Sequence, residues 1–200
     1  MADQTQAVQV GGWWVRNAQG IKVLFRVLFG GLWLAAGILK FLPGFADGFY
    51  GMIQDAASSA PAWLQGWYSF WLDAASTNGT LIVYTVGTLE VLLGLALILG
   101  LGRKIAYFGG IALSLLIWTV PEAFGGPYST GAGATDLGTG ITYAVMFVGL
   151  IALNAAFGPS KWSIDYAIEQ QYPGWARVAE LNYTKASAKG SPPKPGAITA

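Results

Sequence analysis

The sequence predicts an all-α integral membrane protein, a bundle of four transmembrane helices with both termini in the cytoplasm. Short amphipathic helices are expected in the first outer loop and after the fourth span. Three observations predict this class. Of 200 residues 54% are hydrophobic and 10% charged, with a mean hydropathy of +0.49, whereas soluble domains carry about 25% charged residues. Four apolar runs, at about 21–42, 80–101, 104–120 and 136–157, suit the thickness of a bilayer core. Finally, Arg16, Lys22, Arg26, Arg103, Lys104, Lys161, Arg177, Lys185, Lys189 and Lys194 fall on or near one side of these runs, and Lys40 alone lies towards the other. Basic residues accumulate on the cytoplasmic side.

Residues 1–20 are polar, contain Gly11-Gly12 and lack the apolar core of a secretory signal. They are expected to stay on the side where they are made, with Trp13, Trp14 and Arg16 at the interface. The membrane domain then covers 21–157. Its first span ends at Leu42-Pro43-Gly44, where proline and glycine stop a helix. At about 100° per residue, Arg26, Gly30, Trp33, Gly37 and Lys40 share one stripe, on which the glycines admit a neighbouring helix. Lys40 either joins that contact or snorkels to the outer interface.

The connection that follows carries Asp47, Asp55 and Asp73 and no base. Its second half starts at Pro61 and repeats tryptophan at positions 63, 67 and 71. That spacing predicts a helix over Pro61 to Ala75 lying in the headgroup plane, part of a cap over the bundle. Asn78-Gly79-Thr80 opens the second span, and the few residues from Gly100 to Lys104 turn it into a hairpin with the third. Pro121-Glu122 stops the third span. The glycine-rich stretch that follows has neither the lysine nor the strand of a phosphate-binding loop. Thr135 or Asp136 can cap the fourth span. Residues 158–183 read as a cytoplasmic amphipathic segment and 184–200 as a disordered Lys, Ser, Pro and Gly tail.

Glu90 is the one acid well inside a span. An ionisable group at that depth costs a few kcal/mol unless it finds a partner, a cavity or a proton, so intramembrane acids mark function. Two roles are open to it, a working site or an ion pair that holds helices in register. Counted from the inner ends of the spans, Arg26 lies about five and Glu90 about eleven positions deep, a gap near 9 Å at about 1.5 Å per residue. The pairing expected is therefore Glu90 with Arg26.

The chain has no cysteine and no histidine. Thiolate iron–sulfur clusters, imidazole-ligated or covalently attached haem, disulfides and ordinary zinc or copper sites are thereby excluded from it. A redox role requires an organic carrier such as a membrane quinone, or a partner subunit with its own cofactor. The net charge of +1 argues against nucleic acid.

Taken together, Gly30-Gly31-Leu32-Trp33-Leu34-Ala35-Ala36-Gly37-Ile38-Leu39-Lys40-Phe41, then Glu90 with Gly94 and Arg103, then Gly158-Pro159-Ser160-Lys161-Trp162-Ser163-Ile164-Asp165 resemble the DoxX-like family of four-helix membrane proteins. The loop residues Gly125-Gly126-Pro127-Tyr128 and Ala134-Thr135-Asp136 look closest to its DoxD branch. The resemblance spans about Lys22 to Ile168. It implies the membrane subunit of a thiosulfate:quinone oxidoreductase, which joins two thiosulfates into tetrathionate and passes two electrons to a membrane quinone, with a DoxA-like partner subunit. On that reading Glu90 and Arg26 are the catalytic candidates, while Lys40, Trp33, Trp118 and Asp136 are candidates for holding quinone or substrate. The location implied is the prokaryotic plasma membrane, in contact with lipid. The alternative is a non-catalytic accessory or assembly subunit of a respiratory or other membrane complex. A transporter finds little support, since no inverted repeat or broken helix is visible.

Overall fold

A computed structural model of the chain describes residues 2–125, 138–158 and 161–179, apart from the side chains of 2–11 and 13–15. The expected interfacial role of Trp13 and Trp14, the glycine-rich loop with Asp136, and the tail at 184–200 lie outside the described residues. Every regular element among those described is helical.

The first helix, α1, runs unbroken over Ala2–Leu39. It therefore includes the polar segment set apart in the sequence. No proline precedes Pro43, so nothing stops the backbone ladder where the apolar run begins. At 38 residues it is about 57 Å long, nearly twice the ~30 Å of a hydrocarbon core. Tight turns from Lys40 to Gly37, Phe41 to Ile38 and Leu42 to Leu39 end it before Pro43.

Helix α2, Phe49–Ser59, folds back against α3, Gln65–Leu99. The sequence places a separate interfacial helix before a second span starting near residue 80. Instead, α3 continues through both, with one non-helical residue, Asn78 (φ −134°, ψ 25°). Asn78-Gly79 are poor helix formers, yet both keep their N–H, so the helix kinks and does not end. The tryptophan stripe is divided as well. Trp63 sits in the short 3-10 turn Ala62–Leu64, out of α-helical phase, and is 78% exposed. Trp71 packs against a small core of Phe49, Ile53, Leu64, Tyr68, Val83 and Val120.

Gly100 (φ 66°) and Gly102 (φ 58°) are both left-handed, a conformation that favours glycine, and they make the turn into α4, Arg103–Thr119. Helix α5 covers Thr139–Phe157, and α6 (Ile164–Gln171) and the short α7 (Ala176–Ala179) follow. The start of α5 is closed from outside its own segment, because Glu122 Oε2 accepts from Gly140 N at 2.7 Å. The two residues after Glu122, Ala123 (φ 51°) and Phe124 (φ 56°), are held in the left-handed region without being glycine.

The bundle is two helix pairs, α1 with α3 and α4 with α5, joined through α1–α5 and α3–α4 contacts. Glycines bring α1 and α3 together: a Cβ added at Gly94 would lie 2.6 Å from Leu34 N, and one at Gly37 would lie 2.8 Å from Gly87 O. The ring of Phe147 covers Gly110 in the same way. Phe29, Trp33, Leu97, Tyr107, Phe147 and Leu150 fill the centre.

Three helical stretches are long and apolar enough to cross a membrane, within Arg16–Leu39, Ala62–Leu99 and Thr139–Phe157. Helix α4 has 17 residues, about 26 Å, a little less than a ~30 Å core.

A buried acid–base pair between the first and third helices

Glu90 does not meet Arg26. Its carboxylate is bound by Lys40, whose Nζ donates to Oε1 at 2.9 Å and lies 2.7 Å from Oε2. The glycine contacts explain the choice. They set α1 and α3 antiparallel, with Gly94 opposite Leu34 and Val91 opposite Gly37, so that Glu90 faces α1 near Gly37. Lys40 is then about three positions away along α1 and Arg26 about eleven, roughly 5 and 16 Å. The depth count from the span ends lacked this offset, because it took the two helices to end level.

The Glu90 side chain is 2% exposed and that of Lys40 is 18%. The ammonium also lies 5.5 Å from the centroid of the Phe45 ring, within range of a cation–π contact. Phe41 and Tyr84 stack at 5.4 Å beside this end of the contact and are 45% and 42% exposed. The result is a buried carboxylate, an ammonium that is still reachable, and an exposed aromatic pair at one end of the α1–α3 contact.

Arg26 belongs to the opposite end. It is 2% exposed, and its Nη2 donates to Trp162 O at 2.8 Å. It packs so closely on Gly100 that a Cβ there would be 2.5 Å from Nη1. Beside it Asp165, fully buried, accepts from Gly102 N at 2.7 Å, Arg103 N at 2.9 Å, Arg103 Nε at 3.0 Å and Trp175 Nε1 at 2.8 Å. Arg103 also reaches Glu169 Oε1 at 3.4 Å, and Lys22 Nζ donates to Gly158 O. These contacts tie the segment after α5 to the middle of α1, the end of α3 and the start of α4. Ser163 caps α6 by accepting from Tyr166 N.

Of the remaining candidates, Trp33 is 1% exposed and packs against Phe29, Tyr143 and Phe147. Trp118 meets Phe124 edge-on at 5.2 Å. The ring contacts of neither involve Lys40 or Glu90, and Asp136 lies outside the described residues. Sequence reasoning missed Asp165 and Glu122 as organising acids. The usable signals were an acid two residues after a serine cap, and a proline-glutamate stop just before a glycine-rich loop.

A groove of about 610 Å³ opens between the turn at Ala46–Gly48 and the kink of α3, lined by Asp47, Tyr50, Ser76, Thr77, Asn78 and Thr80 among others. None of its lining residues is basic. Among the described residues no group of three or more His, Cys, Asp or Glu is placed to hold a metal ion.

Fold and site define an all-helical protein with three apolar helices of membrane-spanning length and a buried acid–base pair between two of its helices. Comparison with protein-family models, curated proteins and solved structures returned no match.

Proposed function

We propose that this chain is the DoxD-like membrane subunit of a thiosulfate:quinone oxidoreductase, a four-span protein of the prokaryotic plasma membrane with both termini cytoplasmic. The reading starts from the residues that resemble the DoxX-like family. The observation that carries it furthest is the Lys40–Glu90 pair beside the exposed Phe41–Tyr84 stack. A quinone accepts two electrons and two protons. Lys40 can donate a hydrogen bond and then a proton to a carbonyl oxygen, the proton being replaced from water on its exposed side, while the Glu90 carboxylate holds the ammonium in place and the Phe41 and Tyr84 rings offer a face for a planar headgroup. Such a headgroup reaches the ammonium from the side on which Lys40 is partly exposed.

Thiosulfate, a dianion, is assigned to the DoxA-like partner. The stretch from Phe41 to Thr80 contains no Lys or Arg, so the groove by Asn78 repels such an anion.

Thiosulfate-dependent quinone reduction, measured in membranes carrying this chain with its DoxA-like partner, tests the reading. Turnover that falls about 100-fold in Glu90→Gln, with assembly intact, supports it. One specific observation favours the accessory role instead: the buried charges Glu90, Asp165, Arg103 and Arg26 are all engaged within the chain. Full turnover in Glu90→Gln, or co-purification with a large complex and no bound quinone, selects that alternative. Cysteines at Ser129 and Ser187 test the topology. The first should react with an impermeant reagent from outside and the second should not.

A further inference from the structure

We propose that the segment from Lys161 to Arg177 binds the anionic headgroups of the lipid leaflet at the end of the bundle where α4 begins. This rests on the reading that the apolar helices cross a bilayer.

By sequence the described stretch 161–179 is electrically balanced, with Lys161 and Arg177 against Asp165 and Glu169. The fold sorts those charges. Asp165 is 0% exposed and Glu169 17% by side chain, and both are turned onto Arg103. Lys161 and Arg177 are exposed, as is Arg16 on α1, one turn before Gln19. Gln19 in turn donates to Phe157 O at 2.5 Å, which brings that part of α1 to the end of α5. The outward face is therefore positive although the segment is neutral. The chain beyond it adds Lys185, Lys189 and Lys194 against Glu180.

Aromatic exposure accompanies the charge. Trp162 is 76% and Tyr172 67% exposed, with Ile164 at 38%. Trp162 is not carried on a loose loop. Its carbonyl accepts from Arg26, and three residues on, Asp165 N donates to Gly100 O at 3.1 Å. A large indole fixed in the open beside a lysine, just past the end of an apolar helix, is the composition of a membrane–water interface. Basic residues there gain from anionic lipid, and the gain fades within a Debye length.

The chain has no cysteine, so single cysteines carrying spin labels report depth in nanodiscs of phosphatidylcholine with or without phosphatidylglycerol. A label at Ile164→Cys should sit at headgroup depth and lose collisions with an aqueous nickel reagent when phosphatidylglycerol is included. After detergent extraction, the wild-type chain should retain phosphatidylglycerol in preference to phosphatidylcholine. In Lys161→Glu/Arg177→Glu that preference should drop roughly 25-fold or more, since each of the two bases near the surface contributes on the order of a five-fold gain. Neither substitution touches the Asp165–Arg103 contact. A label at Leu24→Cys, on a face of α1 that is 59% exposed, is the control for the membrane reading. If it resides in hydrocarbon while Ile164→Cys stays in water with both lipids, or if the double variant keeps its lipid preference, the headgroup site alone is overturned. A Leu24→Cys label in water overturns the membrane reading and the site together.

Discussion

Arg103 and Asp165 stand 62 positions apart in the chain and meet as a buried pair, Nε to Oδ2 at 3.0 Å, with 1% and 0% of their side chains exposed. The carboxylate is also closed by two backbone N–H groups at the α3–α4 turn and by the Trp175 indole. One acid thus joins the turn between α3 and α4 to the segment that follows α5.

Removing that acid leaves Arg103 buried with its closest ion pair gone and Glu169 Oε1 at 3.4 Å. Asp165→Ala is expected to cost about 3–5 kcal/mol, the usual penalty for breaking a buried pair from one side. Limited proteolysis should then cut between residues 158 and 179 at concentrations that leave the wild type intact. Equal resistance would mean that the latch is held by packing alone.

Glu90 and Lys40 form the second testable pair. Glu90→Gln removes the charge and is expected to lower stability by about 1–3 kcal/mol, because Lys40 loses its counter-ion in a largely buried position. Adding Lys40→Met should recover part of that loss, whereas adding Arg26→Gln should recover none. Thermal unfolding of the four proteins in one detergent checks this. Rescue by Arg26→Gln would return Glu90 to the partner expected from sequence depth.

Gly94→Ala is expected to destabilise by about 1–3 kcal/mol through overpacking. Its Cβ would meet the backbone of α1 at Leu34, which cannot swing away. Gly31, one position from Gly30 but with nothing within 4 Å of a Cβ, serves as the control. Gly31→Ala should be neutral or stabilising by up to about 1 kcal/mol. Similar melts for the two variants would argue against close α1–α3 packing.

At the start of α5, Glu122→Ala deletes the acceptor for Gly140 N. The expected cost is about 0.5–2 kcal/mol, the range for a lost cap. Hydrogen exchange should report it locally, with faster exchange at Gly140 and the next residues of α5 and no change in α1. Unchanged exchange at Gly140 would show that this contact does not protect the helix start.

Much of the candidate site was legible in the sequence, but its wiring was not. Glu90 declared itself by depth, since a lone carboxylate in a long apolar run has few inexpensive alternatives. The glycines that admit α3, Gly30 and Gly37, were readable from their spacing on α1. Which base answers Glu90 was not readable, because Arg26 and Lys40 lie on the same stripe and differ only in their offset along the partner helix. Asp165 was hidden for a different reason. On α6 it looks like an ordinary first-turn acid, and its burial depends on a turn some sixty positions earlier.

By itself the sequence determined the helical class, the apolar runs of membrane-spanning length and the acid at depth. Hydropathy, proline and glycine punctuation and charge are local quantities that need no partner to be counted. Tertiary structure alone decided that Asn78 kinks a helix without ending it, that Lys40 takes Glu90, and that the acids after α5 turn inward while the bases face out. The physical reason is register. Two helices brought together at glycines share one allowed offset, and that offset selects which of several equally spaced charges come within hydrogen-bonding distance.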